Sequence, residues 1–305
     1  MARLYTFPST AFEPERAAIE RAFEVLYVGK RPSTVRSDRV AVRHWFDWFG
    51  YRVPRETDVL RYIDHARTEL NHANKTIKAT LIRVRRGFDS FDISHRFDRA
   101  LRLVKTSHVP ERREIKMIDF DDLIRLVQAP DTDTLTGVRD SCFLSLMVGG
   151  ALRITEALEL KVGDVRHTPK GTLYVRLGMT KAGTPANQAI SPRVARFVQE
   201  YASQRMIESD QSAPLLTAYA PNGKPLDKAL IRRNASRSFY GYCERLGIKA
   251  SPHSCRATAI TKLLADGVHH REVQNFSRHS SVQMVEVYDK RRFGIDQSAA
   301  KDLTF

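Results

Sequence analysis

The sequence predicts a mainly α-helical fold of two domains with one small antiparallel β-sheet. Apolar residues recur at helical spacing over most of the 305 residues. Two strand-like runs, 173–177 and 188–190, stand on either side of the turn-rich stretch 179–185. The polar stretch 110–116 contains a proline and has no apolar periodicity. We therefore expect a linker there, between two parts that are each long enough for a core.

The first domain, residues 1–109, is predicted to be helical. One helix begins at Pro32 and ends at Gly50. A second helix is capped by Asn74, and its apolar residues repeat at intervals of 4, 3, 4 and 3, which indicates an amphipathic helix. The apolar side of the first helix carries Val35, Val42, Trp45, Phe46 and Phe49, and that of the second carries Ile77, Leu81, Val84, Phe88 and Phe91.

The second domain, residues 117–290, is predicted to hold the sheet among further helices. Asp119 caps a short helix that runs to Val127, and a buried helix spans 134–149. After the two strands the pattern is helical again, with a long segment over 227–246. The order of elements favours helices packed around a small sheet rather than a parallel α/β fold.

The net charge of +15 indicates a polyanionic partner. Residues 1–110 contain 21 Lys/Arg and 13 Asp/Glu, and the remainder contains 29 and 22, so the two parts carry +8 and +7. A basic tail would concentrate the charge at one end. Charge shared by two folded parts favours a polyanion held from two sides, and DNA is the expected one. The alternative is a charge that only aids solubility.

A run of basic residues lies on the helix that Asn74 caps. Nothing acidic follows in the sequence until Asp89, so contact with the DNA backbone is one interpretation and a solvated face is the other. The predicted DNA contacts are Lys75, Lys78, Arg83, Arg85 and Arg86.

Several classes of protein are disfavoured by what the sequence lacks. The longest apolar run, 142–152, is too short to cross a membrane, and no apolar signal-peptide core follows the N-terminus. We expect a cytoplasmic, nucleoid-associated protein. Three widely separated cysteines without metal-ligand spacing indicate free thiols. There is no cluster of carboxylates and no phosphate-binding glycine loop, so neither a metal, a cofactor nor ATP is expected.

Near the C-terminus a predicted helix brings two candidate site residues together. Ser251 is a good N-cap and Pro252 suits the first helical position. His253 and Arg256 then lie one turn apart at a helix N-terminus, where an anion is favoured.

The residues of a second candidate pair, His279 and Tyr288, are nine positions apart. This spacing predicts another helix, with the tyrosine about two turns in. Two imidazoles, a guanidinium and a phenol fit a site that stabilises a phosphorane and offers a covalent nucleophile. The adjacent His269 and His270 match no metal spacing and are interpreted as surface residues.

Arg153 adds a second arginine. It follows a double glycine and opens a helix, and a surface salt bridge to Glu156 is the alternative interpretation.

Together these stretches resemble the motifs of the tyrosine recombinases, also called phage-integrase-type site-specific recombinases. The arginine box matches 151–158, and the family's hairpin lysine falls on Lys181 in the turn 180–183. The remaining motifs fall on His253 to Arg256 and on the stretch from Ser277 through His279 to Tyr288. The resemblance covers the chain from about residue 112, and the helical first part is similar to the family's core-binding domain. Where the family usually has glycine before the second histidine, this chain has Arg278, and Cys255 and Ala257 replace the usual neighbours of the box arginine.

The resemblance implies a mechanism. Arg153 and Arg256 hold the non-bridging oxygens of the phosphate, assisted by His253 and His279 as donors. Tyr288 forms the 3′-phosphotyrosine bond, with His253 as the expected base. Two further residues act around this centre: Lys181 protonates the departing 5′-hydroxyl, and Glu156 orients a neighbouring residue. Arg278 is a further predicted DNA contact.

The resemblance also implies partners. The expected substrate is a double-stranded recombination site, around which the two domains close as a clamp, in DNA integration, excision or resolution. We expect a monomer in the free state, a tetramer in the synapse and accessory DNA-bending proteins. The tail 291–305 docks either on its own protomer or on a neighbour. Two alternatives remain: a DNA-organising protein of the same fold without catalysis, and a type IB topoisomerase.

Overall fold

The computed structural model describes residues 16–106, 118–178, 185–220 and 222–289. These residues are mostly helical with small antiparallel sheets, which confirms the predicted fold class. The chain folds into two compact units, Met1–Glu111 and Arg112–Phe305. The expected linker, Lys181 and the C-terminal tail lie outside the described residues.

The described part of the first unit consists of α-helices around an aromatic core. Trp45 is fully buried, and its ring lies 5.0 Å from Tyr62 and 5.9 Å from Phe97, centroid to centroid. Such tilted ring pairs stabilise a core beyond the area they bury. The helices are α1 (Arg16–Val25), α2 (Pro32–Phe49), α3 (Glu56–Thr68), α4 (Asn74–Gly87) and α5 (Asp98–Leu103).

Helices α2 and α4 confirm the periodicity of the sequence. Gly50 ends α2 with φ +77°, a backbone conformation that glycine adopts at no steric cost. The predicted apolar side of α4 is buried at Ile77, Leu81, Val84 and Phe88, whereas Ile82, on another side of the helix, is exposed. The predicted cap is wrong, because Asn74 is already the first helical residue. Its amide instead donates to the carbonyl of Lys105 (3.0 Å) and accepts from Arg67.

The second unit is built around α7 (Leu135–Gly149), which is buried from Arg139 to Gly149. Thr134 caps this helix, and Asp119 caps the helix before it, as the sequence predicts for Asp119. The double glycine at the end of α7 has no room for side chains: a Cβ on Gly149 would overlap Val194. The helices of this unit are α6 (Phe120–Gln128), α7 (Leu135–Gly149), α8 (Ile154–Leu158), α9 (Pro192–Glu208), α10 (Arg232–Arg245), α11 (Pro252–Ala265), α12 (His270–Ser277) and α13 (Gln283–Glu286).

Three antiparallel strands form the main sheet in the order β1-β2-β3. The predicted strand Leu173–Leu177 is β2, and the second prediction corresponds to β3, Ala186–Ala189. Strand β1, Val165–His167, was not predicted; it pairs with β2 through Val165 and Val175. Three residues are too few for a period-two pattern to be recognised.

A second hairpin, also not predicted, joins β4 (Thr217–Tyr219) to β5 (Pro225–Ala229). The predicted helix over 227–246 is therefore wrong at its start, because α10 begins only at Arg232. Gly223, with φ +80°, forms the turn of this hairpin.

The C-terminal helices carry the candidate site. Ser251 caps α11 by accepting from Ser254 N, as predicted. The helix after His279 is shorter than predicted: α13 is a single turn, no side chain caps its N-terminus, and Tyr288 follows its end.

No helix within the described ranges is long and apolar enough to cross a membrane. Cys142, Cys243 and Cys255, the three cysteines of the sequence, are buried as free thiols.

Candidate active site

Arg153 lies where α7 turns into α8. The chain reverses at Ala151, which has φ +46°. Glu156, one turn into α8, accepts the Arg153 backbone N–H with Oε2 (2.8 Å) and the guanidinium with Oε1 (2.6 Å). The salt bridge that the sequence offered as the alternative interpretation is thus present, and it holds Arg153 beside the other candidate residues.

Arg256 is the most buried charged residue of the site, with 1% of its surface exposed. Its guanidinium donates to the carbonyl of Ala151 (2.6 Å) and to that of Ser277. The side chain therefore joins α11 to the turn before α8 and to the end of α12. Burial, and then the charges of Arg153 and Arg278, lower the pKa of Arg256 to about 9, which leaves it cationic at neutral pH.

His253 lies one turn before Arg256, at the surface. Its Nε2 is 3.5 Å from the hydroxyl oxygen of Tyr288. Partial desolvation, and then the charges of Arg256 and Arg153, lower the pKa of His253. The imidazole is therefore neutral at physiological pH and can accept a proton.

His279 and Tyr288 form a stacked pair, with ring centroids 5.7 Å apart and an interplanar angle of 21°. The hydroxyl oxygen of Ser277 lies 2.9 Å from His279 Nδ1 and 3.3 Å from the carbonyl oxygen of Gln274, and it can donate its one proton to only one of them. Burial, and then the charges of Arg256 and Arg153, lower the pKa of His279 to about 4. Burial raises the pKa of Tyr288, although Arg256 and Arg153 oppose it.

The interpretation of His269 and His270 as surface residues is confirmed for His269, which is exposed, and needs correction for His270. His269 caps α12 by accepting the backbone N–H of Arg271 at 3.3 Å. His270 is half-buried, and its Nε2 lies 3.0 Å from a carboxylate oxygen of Asp289, the residue after Tyr288. This contact ties the segment that carries the tyrosine to the start of α12.

Arg278 ends α12 with φ +54°, a left-handed conformation. Its side chain is 9% exposed and contacts protein groups: it donates to Glu156 Oε2 at 2.7 Å and to Gln188 Oε1. A direct DNA contact, as predicted from the sequence, would require this guanidinium to leave both partners.

The basic residues of α4 differ in their surroundings. Lys75 and Arg86 are exposed. Arg83 donates to Asp38 of α2 at 2.5 Å, and Arg85 lies 3.1 Å from Asp98. The expectation that nothing acidic balances this run is therefore wrong, because the acidic partners come from distant parts of the sequence.

A cavity of about 280 Å³ opens beside Arg153, His253 and Arg256. The cavity is also lined by residues of α10 that were not singled out in the sequence. They are Arg232, Ser236 and Tyr240. Their four-residue spacing places them on one helix face and is the signal that could have identified them.

Within the described ranges, no three His, Cys, Asp or Glu side chains are arranged so as to hold a metal ion. Lys181 lies outside the described residues, so its place relative to the phenol stays a prediction.

Comparison with known proteins gives a family match and a set of structural neighbours. The family model described as the phage integrase family matches residues 116–294. Tyrosine recombinase XerA of Thermococcus kodakarensis is 28% identical over 264 residues, which cover 86% of this chain and 86% of that protein.

Two solved structures are similar over nearly the whole chain. XerH site-specific recombinase, bound to palindromic difH substrate after cleavage, gives a TM-score of 0.70 at 13% identity and covers 95% of this chain and 85% of its own. The Tn1549 transposon integrase, in complex with circular intermediate DNA, gives 0.65 at 15% identity and covers 94% and 99%. At these identities the likeness shows a common fold.

Proposed function

Because the chain belongs to the phage integrase family and is a tyrosine-type site-specific DNA recombinase, we propose that it cuts and rejoins DNA through a 3′-phosphotyrosine at Tyr288. The observation that carries this proposal is the 3.5 Å approach of Tyr288 to His253, a neutral base. Arg153 and Arg256 lie close enough to both rings to influence their pKa values. A nucleophile, a base and two guanidiniums form the minimum set for this chemistry.

In the proposed cleavage step the phenol oxygen attacks phosphorus, and the bond to the 5′-oxygen breaks. His253 takes the phenolic proton through Nε2, because a tyrosine with a raised pKa is protonated at neutral pH. The departing 5′-oxygen requires a proton of its own. We assign that donation to Lys181 on the strength of the family resemblance. A 5′-hydroxyl from another strand then attacks the phosphotyrosine, and the same steps run in reverse.

Charge builds up on the non-bridging oxygens during attack, and the two arginines would stabilise it. Arg256 is held by two backbone carbonyls, so its fork is preorganised. His279 would add a neutral donor when the single proton of the Ser277 hydroxyl goes to Nδ1 rather than to the carbonyl of Gln274, because the ring proton is then on Nε2. Glu156 orients Arg153 by accepting from its backbone and its side chain.

The arginines supply the positive charge that metal ions supply in two-metal nucleases, so we expect cleavage without a metal. The covalent bond conserves the energy of the phosphodiester, so ATP is not required.

We propose that DNA is bound by basic residues of both units. In the second unit, Arg232 of α10 is exposed and lines the same cavity as Arg153. In the first unit, three basic residues of α4 form no ion pair with an acidic side chain within the described ranges, namely Lys75, Lys78 and Arg86. Residues 1–109 would then act as the core-binding domain and 117–290 as the catalytic domain.

The substrate would be a double-stranded recombination site, which is supported by XerH bound to its difH substrate and the Tn1549 integrase bound to circular intermediate DNA. We also propose a tetramer in the synapse, a monomer in the free state, assistance by DNA-bending proteins, and activity at the nucleoid in the cytoplasm.

Covalent trapping tests this function. A binding site is first selected from randomised duplexes with the Tyr288→Phe protein, and a nick is then placed next to the scissile phosphate so that cleavage cannot reverse. We expect the wild-type protein to form an adduct in EDTA that protease reduces to a peptide on a 3′ end. Tyr288→Phe should bind the same duplex and form no adduct. An adduct that persists in this variant, or one that requires Mg²⁺, would contradict the proposal.

A further inference from the structure

Arg278 occupies a backbone position that disfavours it. With φ +54° at the end of α12 it is in the left-handed region, where a side chain costs energy and glycine does not. Such outliers persist when the surrounding structure compensates for them, and they cluster at functional sites. We therefore expect the contacts of the Arg278 side chain to compensate for the cost of its left-handed backbone.

That side chain connects separate segments of the second unit. Its guanidinium donates to Glu156 on α8 at 2.7 Å and to Gln188 on β3, and it makes a weaker contact with the carbonyl of Phe276 at 3.3 Å. Gln188 is 3% exposed, and the Arg278 side chain is 9% exposed. Water screens buried ion pairs of this kind only weakly, so their geometry is well defined.

Glu156 connects Arg278 to Arg153. Its Oε2 accepts from both Arg278 and the backbone N–H of Arg153, while Oε1 accepts from the Arg153 guanidinium. The carboxylate is thus shared by the two arginines. Because His279 is the next residue after Arg278, the same side chain also ties the backbone of His279 to α8.

We propose that Arg278 is a positioning residue that, through Glu156, fixes the positions of Arg153 and His279 relative to each other. In this protein an ionic connection from Arg278 through Glu156 to Arg153 is found where the family usually has a glycine. The inference rests on the proposed function, since it assigns Arg278 a role in the same reaction without contact to the DNA.

The test compares three replacements of Arg278 on the nicked duplex, with DNA affinity and single-turnover cleavage measured separately. Arg278→Gly relieves the backbone and removes the connection, Arg278→Asn tolerates the left-handed backbone, and Arg278→Lys keeps one charge. We expect Arg278→Gly and Arg278→Asn to slow cleavage at saturating DNA by about 10- to 100-fold, the scale of a small misplacement of reacting groups. DNA affinity should change by less than about twofold. Arg278→Lys should recover part of the rate.

Coupling through Glu156 is checked by a double variant. Glu156→Gln combined with Arg278→Gly should be no slower than the slower single variant, because both act on Arg153 by one route. Arg271→Ala, which removes an exposed arginine from the same helix, is the matched control and should cleave normally.

Two outcomes would overturn the inference. If Arg278→Gly weakens DNA binding by more than about tenfold and cleaves normally at saturation, Arg278 is a direct DNA contact. If Arg278→Gly and Arg278→Asn both bind and cleave as the wild type does, Arg278 has no part in the reaction. Failure of the wild-type protein to form an adduct would instead refute the proposed function itself.

Discussion

Desolvation favours the neutral form of all three rings at the site, including that of His253 at the surface. It raises the pKa of Tyr288 and lowers the pKa values of His253 and His279, while Arg153 and Arg256 add two positive charges beside them. Without DNA, the phenol and the two imidazoles are thus neutral, and they lie beside two positively charged guanidiniums. A bound phosphate would neutralise part of that positive charge. The site is therefore electrostatically suited to an anion while it is still empty.

A pH-dependent loss of stability follows from His279. Its folded pKa is about 4, against 6.5 for an unperturbed histidine, so between these values the unfolded chain takes up a proton that the folded chain does not. The free energy of unfolding should therefore fall as the pH drops from about 6.5 to 4. At 1.36 kcal/mol per pKa unit, this residue contributes on the order of 3 kcal/mol to that fall.

Urea unfolding of the wild type and of His279→Gln at several pH values measures this contribution. The variant should lose less stability than the wild type over this range, and the two curves should converge toward acid pH. Parallel curves would show that His279 titrates normally in the folded protein.

The residues of the site differ in how far they could be predicted. His253 and Arg256 share a helix turn, so their proximity follows from local geometry. The approach of Tyr288 to His253, and that of His270 to Asp289, depend on how α11, α12 and α13 pack. The resemblance to a family indicated the first of these, whereas nothing in the sequence indicated the second.

Among the elements, the junction of α7 and α9 depends on the absence of side chains. A methyl group on Gly149 would overlap Val194, so Gly149→Ala should lower the free energy of unfolding by about 1–3 kcal/mol. Gly241 is exposed within α10, and nothing lies within 4 Å of a Cβ built there. Gly241→Ala should raise stability by about 0.5–1 kcal/mol, because alanine is the better helix former.

The free energies of unfolding of the two alanine variants, measured with a denaturant, distinguish an effect of side-chain packing from one of helix propensity. The expected signs are opposite, although the substitution is the same. A stabilised Gly149→Ala variant would mean that α7 and α9 do not approach as closely as described.

Element prediction succeeded where apolar residues repeat for several turns, as in α2, α4 and α7. It failed for short elements held by tertiary contacts, namely β1, the β4–β5 hairpin and the single turn of α13. Local periodicity cannot reveal three- or four-residue elements whose hydrogen-bond partners lie elsewhere in the chain.

On the scale of the whole molecule, the excess of basic residues was evident from the sequence, but its local balance was not. Asp38 on α2 binds Arg83 from a position 45 residues earlier. The net charge is a sum over the sequence and does not depend on folding. Which basic side chains remain without an acidic partner, however, depends on the acidic groups that the fold brings close to them. The sequence therefore predicted the polyanionic partner better than the individual DNA contacts.

The three cysteines make the folded chain unreactive toward thiol reagents. Burial raises the pKa of each thiol, that of Cys243 to about 11, and the thiolate is the reactive form. Ellman's reagent should therefore titrate less than one thiol per native chain at neutral pH, and all three after unfolding in guanidinium. Rapid reaction of one thiol in the native protein would contradict the burial described above.

This inertness makes the protein suitable for spectroscopy without removal of its own cysteines. A single cysteine introduced at an exposed position, such as Thr76→Cys on α4 or Arg271→Cys on α12, would be the fastest-reacting thiol in the molecule. A maleimide dye on each unit could then report changes in the distance between the units as substrate is added.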